Sequence, residues 1–207
     1  MSVKVKICGL RRRQDIEAVN EYRPDYAGFI LTGGYRRSIV AGTFFELKSY
    51  LSSEIKAVGV FVNEPLEEIE KYYTQDLDVI QLHGDEDAEY IKRLRKIFGG
   101  EIWKAVRAKS PADIEYADTL GADRLLIDSF VEGMVGGTGK TADTQVIKQA
   151  TFKSPFLLAG GIDEQNAVSL AKELAPYGLD ISSSVETDGF KDADKIRRII
   201  TLIREET

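Results

Sequence analysis

Residues 56–83 read KAVGVFVNEPLEEIEKYYTQDLDVIQLH, and the architecture of the chain can be worked out from this stretch. Its two ends, KAVGVFV from Lys56 and VIQLH from Val79, are short apolar runs rich in β-branched residues, as buried strands are. Between them, residues 67–73 carry apolar side chains at three- and four-residue spacing among charged ones, which is typical of an amphipathic helix. The stretch therefore predicts a strand, a helix and a second strand, which is the repeating unit of a parallel sheet.

The same alternation runs along the rest of the chain. Short apolar runs begin 23, 30, 23, 23, 22, 31 and 24 residues apart, about the length of one strand, one helix and two short loops. Further amphipathic helices are predicted over residues 87–98, 164–174 and 192–203. The eight predicted strands start at Val3, Tyr26, Lys56, Val79, Ile102, Arg124, Pro155 and Leu179.

These units predict a closed (β/α)8 TIM barrel. The strands are apolar almost throughout, which indicates a parallel sheet covered by helices. No Ser-, Gly- or Pro-rich linker divides the chain, so we expect residues 1–207 to form one barrel domain of near-minimal size. An open doubly wound sheet is the alternative; it commonly has five or six strands and a glycine-rich first turn, whereas here the first strand runs into Cys8-Gly9-Leu10.

The composition excludes several classes of protein. Apolar residues make up 43% and charged residues 30%, as in ordinary globular proteins. No apolar run approaches the roughly 20 residues of a membrane-spanning helix, and MSVKVKICGL carries charges where a signal peptide is apolar. We therefore expect a cytoplasmic protein without a membrane partner.

Cysteine, histidine and the charge balance narrow the function further. With 1 Cys and 1 His, neither a disulfide framework nor a zinc site of several thiolates is expected, and we predict no metal. Lys and Arg number 28 against 34 Asp and Glu, so the net charge of −6 gives no attraction to nucleic acid. The basic cluster at residues 11–13 is interpreted as a solvated first turn of a helix.

Two loops are longer than the others. They follow the second and sixth strands and cover residues 31–40 and 129–141. In a barrel these loops lie at the carboxyl ends of the strands, where barrel enzymes place their active sites. We therefore expect the functional residues at this mouth.

Small residues follow the seventh and eighth strands. Gly160-Gly161 and Ser182 to Ser184 leave backbone N–H groups uncovered, and the loops after strands seven and eight of barrels often bind phosphate. This pattern predicts a site for a phosphate monoester. A simple tight turn at the two glycines is the alternative.

Three further side chains at the predicted strand ends have alternative roles. Asp128 could be a helix cap or a general acid. Cys8 could be a buried apolar residue or a reactive thiol facing Asp128 across the mouth, since their strands are three steps apart around the ring. His83 could be a catalytic base, a substrate contact or a structural group.

The glycine-rich segment GGTGKT, residues 136–141, is not interpreted as a nucleotide-binding P-loop. The P-loop pattern requires glycine at the position of Met134, and the segment begins eight residues after the strand. A lid over the mouth is the better interpretation.

Seven short motifs occur in order along the whole chain: VKICG (5–9), VGVFVN (58–63), IQLHGDE (80–86), LLIDS (125–129), GGTGKTAD (136–143), LAGGI (158–162) and ISSSVE (181–186). Together they resemble the motifs of the phosphoribosylanthranilate isomerase family of tryptophan biosynthesis. That family is a (β/α)8 barrel that converts N-(5-phosphoribosyl)anthranilate to 1-(2-carboxyphenylamino)-1-deoxyribulose 5-phosphate without a cofactor.

The resemblance implies a role for individual residues. Cys8 is expected to be the general base, Asp128 the general acid, and Arg37 the contact to the anthranilate. A phosphorylated small molecule is the expected partner, bound by a monomer or a homodimer. A non-catalytic or differently specific phosphosugar-binding barrel is the alternative. Further substrate contacts are expected at His83, Gly137, Gly160, Gly161, Ser183 and Ser184.

The chain departs from the family pattern at several positions. Ala142 and Thr144 stand where the family has Phe and Trp after the glycine-rich loop, which predicts a looser anchor for the lid. Ser184 replaces a glycine, which puts its backbone contact to phosphate in doubt. The approach to the arginine is Tyr35-Arg36-Arg37 instead of an SPR-like triplet.

Overall fold

A computed structural model describes residues 3–128 and 144–207. In this part of the chain, eight parallel strands pair in sequence order and close into a barrel. The strands are β1 (Lys4–Cys8), β2 (Tyr26–Ile30), β3 (Lys56–Phe61), β4 (Val79–Leu82), β5 (Glu101–Arg107), β6 (Arg124–Asp128), β7 (Phe156–Ala159) and β8 (Gly178–Ile181).

Helices follow the strands along the chain, as the sequence predicts. The helices are α1 (Arg13–Tyr22), α2 (Ala41–Tyr50), α3 (Leu66–Tyr72), α4 (Ala88–Ile97), α5 (Pro111–Asp118), α6 (Thr144–Gln149), α7 (Ala167–Leu174) and α8 (Ala193–Glu206). Between β8 and α8 lie a short 3-10 helix, Ser183–Val185, and a hairpin of two short strands, β9 (Glu186–Thr187) and β10 (Phe190–Lys191).

The first strand shows that the barrel is closed. Lys6 is the register partner of Tyr26 on β2 and also of Asp180 on β8. In an open sheet of this strand order, β1 would have only one neighbour. The predicted closed barrel is therefore confirmed, and the alternative of an open doubly wound sheet is wrong.

The apolar side chains form two layers. One layer lies between the strands and the helices and includes Ile7, Phe29 and Ile127. The other fills the inside of the barrel with Trp103, Ala105 and six further residues. The remaining members of this inner layer are Tyr26, Val58, Val79, Leu126, Leu157 and Ala159.

The inner layer determines which side chains reach the mouth. Successive side chains of a strand point to opposite faces, so residues two apart share a face. Val79 lies inside, so Gln81 and His83 continue the same face toward the mouth, and Asp128 follows Leu126 in the same way. The barrel therefore directs the polar strand ends inward.

Side chains at the helix starts fix several loops of the mouth. Asp87 caps α4 by accepting a hydrogen bond of 2.8 Å from the backbone N–H of Tyr90, and Asp192 caps α8 by accepting one of 3.1 Å from that of Lys195. Each cap satisfies a backbone donor that the helix leaves open. These helices therefore begin immediately after the segments that carry the site.

The basic cluster at residues 11–13 is not fully solvated. Arg13 begins α1 and is exposed, but the guanidinium groups of Arg11 and Arg12 lie 4.4 and 4.1 Å from the centre of the Phe190 ring on β10. Arg12 also donates to the side chain of Asp15 at 2.9 Å. The prediction of a solvated first turn is wrong for Arg11 and Arg12, because their planar cations stack on an aromatic ring from the other end of the chain.

The loops at the mouth follow the predicted lengths where the structure describes them. Residues 31–40 join β2 to α2. Residues 129–143, with the predicted lid, Gly137 and Ala142, lie outside the described residues. In the part of the chain that the structure describes, no helix is both long and apolar enough to cross a membrane.

Candidate active site

The predicted base, Cys8, ends β1 and is 7% exposed. Lys6 lies two residues before Cys8 on the same face of β1 and is fully buried. Its ammonium forms an ion pair of 2.9 Å with Asp180 of β8. Gly28 on the neighbouring strand makes room for both side chains. A Cβ atom there would lie 2.9 Å from the Cys8 Sγ and 3.2 Å from the Lys6 Cε.

Burial and the neighbouring charges act in opposite directions on the thiol. Burial raises the pKa of Cys8 above its ordinary value of 9.0, because the thiolate is poorly solvated there. The Lys6 ammonium opposes this rise in pKa, and the Asp180 carboxylate adds to it. Lys6 therefore provides the positive charge that stabilises a thiolate at Cys8.

The predicted acid, Asp128, ends β6 and is close to the single histidine. The His83 Nε2 lies 3.7 Å from the Asp128 Oδ2. On its other side, the His83 Nδ1 is 3.0 Å from the Nε2 of Gln81, which lies inside the barrel and is 1% exposed. His83 therefore lies between Gln81 and Asp128 at the mouth, and its role stays a prediction.

Arg37, the predicted anthranilate contact, is bound by a carboxylate of the hairpin. Its Nε and Nη2 donate to the two oxygens of Glu186 at 2.6 and 3.0 Å. Glu186 also accepts from Arg36 at 2.6 Å and from the buried Lys191 at 3.0 Å. Among residues 3–128 and 144–207, no group accepts a hydrogen bond from the Nη1 of Arg37.

The charges around Glu186 favour its ionised form strongly. Burial by itself would raise the pKa of Glu186, but hydrogen bonds from Arg37 and Lys191 lower that pKa to about 2. The carboxylate is therefore ionised at neutral pH and holds Arg37 by a charge-assisted, bidentate contact.

Gly9 allows Arg37 to lie across the end of β1. Its backbone has φ +85°, and a Cβ at this position would lie 2.5 Å from the Arg37 Cδ. Any side chain at residue 9 would displace the arginine and would also strain the backbone. The glycine of KICG thus places Arg37 beside Cys8.

The loops after β7 and β8 meet, as the phosphate prediction requires. Gly160 and Gly161 both have positive φ angles, 92° and 64°. The Ser184 Oγ donates to the carbonyl of Ile162 at 2.5 Å and thereby joins the two loops. Within residues 3–128 and 144–207, the N–H groups of Gly161 and Ser183 donate no hydrogen bond.

Ser182 and Lys191 tie the end of β8 to the end of β1. The Ser182 Oγ donates to the Cys8 carbonyl at 3.0 Å, and the Lys191 Nζ donates to the Ser182 carbonyl at 2.8 Å. These bonds join the end of β1, which carries Cys8, to the loop after β8.

A cavity of about 710 Å³ opens at the mouth on the side of β3, β4 and β5. Its walls include His83, Arg107, Asn63 and Tyr35, together with Lys104 and Glu86, which form a buried ion pair of 3.0 Å. It lies on the side of the barrel away from the β7 and β8 loops. The mouth can therefore hold an elongated ligand with one end at each side.

Among residues 3–128 and 144–207, no three His, Cys, Asp or Glu side chains converge so as to hold a metal ion.

Several residues of this site were missed by sequence reasoning. The sequence does carry a signal for two of them, because Lys6 and Asp180 are charges inside otherwise apolar strands. Glu186 and Lys191 carry no such signal, since both follow the last barrel strand in a polar segment. Gln81 and Gly28 also went unrecognised, although each interrupts an apolar run.

Comparison with known proteins shows the family of the chain. The family model described as N-(5'phosphoribosyl)anthranilate (PRA) isomerase matches residues 5–201. The chain is 44% identical to an N-(5'-phosphoribosyl)anthranilate isomerase of Acetivibrio thermocellus, over 97% of this chain and 95% of the relative.

Solved structures of the same family superpose on the barrel. The phosphoribosyl anthranilate isomerase of Thermotoga maritima is 30% identical, with a TM-score of 0.87 over 98% of this chain and 99% of that one. A second such isomerase, solved with reduced 1-(o-carboxyphenylamino)-1-deoxyribulose 5-phosphate, is 28% identical, with a TM-score of 0.83 over the same shares. From its motifs, its barrel and these relatives, the chain belongs to the N-(5'-phosphoribosyl)anthranilate isomerase family.

Proposed function

We propose that this mouth carries out the family's Amadori rearrangement of N-(5-phosphoribosyl)anthranilate with Cys8 as base and Asp128 as acid. The isomerase activity itself follows from membership of the family. The observation that carries the residue assignment is the thiol of Cys8 beside the buried Lys6–Asp180 pair, with Asp128 three strands away around the same mouth.

The acid acts first. Asp128 donates its proton to the ribose ring oxygen, the bond from that oxygen to C1 breaks, and the nitrogen lone pair forms an iminium with C1. The Asp128 side chain is left as a carboxylate. Its position at the end of β6, on the inner face of the barrel, supports this role.

The base acts second. Cys8 as a thiolate removes the proton from C2, and the electron pair of that C–H bond moves into the iminium to give an enolamine, which then tautomerises to the ketone. The substrate's own nitrogen is the electron acceptor, so the chemistry needs no cofactor. The Lys6 ammonium supports this step because it favours the thiolate over the thiol.

The two anionic ends of the substrate orient it between acid and base. We assign the phosphate to the loops of Gly160, Gly161, Ser183 and Ser184, supported by the N–H groups of Gly161 and Ser183, which donate no hydrogen bond within residues 3–128 and 144–207. We assign the anthranilate carboxylate to the Nη1 edge of Arg37, with His83 as a further contact. Holding both ends reduces the entropy cost of bringing C2 to the thiolate.

The setting of the enzyme is part of the proposal. We place it in the cytoplasm as a monomer or homodimer, with a phosphorylated small molecule as its partner and residues 1–207 as one domain. Sedimentation of the purified chain distinguishes the two assemblies.

Conversion of N-(5-phosphoribosyl)anthranilate by the wild type, Cys8→Ser and Asp128→Asn tests the roles of base and acid. We expect each substitution to lower kcat by at least about 100-fold, because each removes a proton-transfer group. Full activity in either variant contradicts its assigned role. An inactive wild type that still binds the product supports the non-catalytic alternative.

A further inference from the structure

Gln81 is a buried polar residue for which the proposed reaction gives no role. It lies on the inner face of β4, two residues from His83, and is 1% exposed. Its Nε2 is 3.0 Å from the His83 Nδ1, and its Oε1 has no hydrogen-bond partner among the described residues. A buried amide with one unmatched atom costs stability, which points to a role of this side chain other than packing.

The direction of this hydrogen bond determines where the imidazole proton lies. When Gln81 donates from Nε2, the His83 Nδ1 must accept, and a neutral imidazole then carries its proton on Nε2. The reversed amide would accept from an Nδ1–H and leave the two N–H groups of Gln81 without partners. Buried donors without partners are rarer than buried acceptors without partners, so the observed orientation is favoured.

The proton on Nε2 faces the acid. The His83 Nε2 lies 3.7 Å from the Asp128 Oδ2, just beyond hydrogen-bond distance. When Asp128 protonates the ribose oxygen, its O–H bond breaks and a carboxylate forms. A donor held at this position stabilises the forming carboxylate while keeping its own proton, and so makes Asp128 a more effective acid.

We propose that Gln81 is a positioning residue that fixes His83 as the neutral Nε2–H tautomer, with its donor aimed at Asp128. This proposal rests on the role proposed above for Asp128. Gln81 touches neither the substrate nor the reacting atoms and acts only through the imidazole.

The single histidine makes a direct test possible. The chain contains 1 His, so the imidazole nitrogen spectrum of the 15N-labelled protein reports His83 alone. At neutral pH we expect the wild type to show the proton on Nε2. Gln81→Leu removes the donor without adding a polar group, and we expect a mixture of tautomers and a kcat about 10- to 100-fold lower with little change in KM.

A second variant and a matched control separate positioning from folding. Gln81→Glu offers only an acceptor, so we expect the proton to move to Nδ1 and kcat to fall. Val79→Ala changes the same inner face of β4 without touching the imidazole. We expect it to be less stable but to keep the Nε2–H tautomer and the wild-type kcat.

Three results would overturn the proposal: a wild-type spectrum with the proton on Nδ1, a Gln81→Leu enzyme that keeps both tautomer and kcat, or one that loses kcat with its tautomer unchanged. An inactive wild type contradicts the proposed function and with it any role of Gln81 in catalysis, whatever the spectrum shows.

Discussion

At the scale of single residues, the site depends on two glycines as much as on its polar side chains, because a larger residue at either position would fill space that the site uses. Gly28 leaves the space that the Cys8 thiol and the Lys6 stem fill, and Gly9 leaves the path along which Arg37 crosses β1. Gly9 is the last residue of KICG, and Gly28 lies opposite Cys8 on the neighbouring strand β2. A sequence pattern marks them only as small residues in or after a strand.

Gly28→Ala should displace the thiol of Cys8, the proposed base. The new Cβ would lie 2.9 Å from the Cys8 Sγ and 3.1 Å from its Cα, and backbone cannot move away cheaply. We expect kcat to fall by at least about tenfold and the free energy of unfolding to fall by about 1–3 kcal/mol. Steady-state kinetics and urea unfolding measure the two effects.

Gly42→Ala is the control for this substitution. Gly42 lies in α2, and a Cβ there meets nothing within 4 Å. We expect wild-type kinetics and unchanged or slightly higher stability, because alanine is the better helix former. Wild-type kcat in Gly28→Ala would show that the thiol tolerates displacement.

At the scale of elements, the hairpin of β9 and β10 links the last barrel strand to Arg37, the proposed anthranilate contact. It lies outside the barrel, yet its Glu186 binds Arg37 and its Lys191 reaches the carbonyl of Ser182. The arginine side chains that contact the hairpin come from the loops after β1 and β2. The hairpin therefore orders the mouth between the first and last strands.

Glu186→Gln should remove an acid-sensitive part of the stability. The native pKa of Glu186 is about 2 against an ordinary 4.5, so its contribution is complete above pH 4.5 and is lost as the pH falls toward 2. The shift corresponds to about 3 kcal/mol at neutral pH, since the side chain is nearly buried. Urea unfolding of both proteins from pH 7 to pH 2 gives the difference.

We expect the gap between wild type and Glu186→Gln to narrow steadily below pH 4.5. Glu17→Gln is the control, because Glu17 forms an exposed ion pair with Arg13 and such pairs contribute little. A gap for Glu186→Gln that stays constant with pH would mean that the charge of this side chain does not stabilise the fold.

At the scale of the whole molecule, closure of the barrel brings the two ends of the chain together at the site. Lys6 and Asp180 are 174 residues apart in the sequence and form their ion pair inside the barrel, where β1 meets β8. A buried pair contributes little net stability as a unit, but either partner alone is a buried, unpaired charge.

Lys6→Met should therefore destabilise the whole barrel by about 3–5 kcal/mol, because it leaves the Asp180 carboxylate buried without its partner. The double variant Lys6→Met with Asp180→Asn removes both charges, and we expect it to recover a large part of that loss. Urea midpoints of the two variants measure the difference. Equal midpoints would show that the pair is not coupled in the fold.

The alternation of apolar runs and amphipathic segments was enough to predict the closed barrel and the positions of four of the eight helices that the structure describes, because strand and helix periodicities are local properties of the chain. The carboxyl ends of the strands could be predicted from the same local patterns, and Cys8, His83 and Asp128 lie there at the mouth. The single-domain assignment and the substrate roles remain predictions.

Local sequence patterns could not show which side chains contact each other in the fold. Arg37 bound to Glu186, Arg11 and Arg12 stacked on Phe190, and Lys6 paired with Asp180 all join segments from opposite ends of the chain. Such pairs depend on barrel closure and register, because a side chain's neighbours across strands are set by pairing and not by spacing. The candidate residues at the strand ends could therefore be named from the sequence, whereas the charged side chains that surround and orient them depend on the tertiary structure, in which β1 lies beside β8.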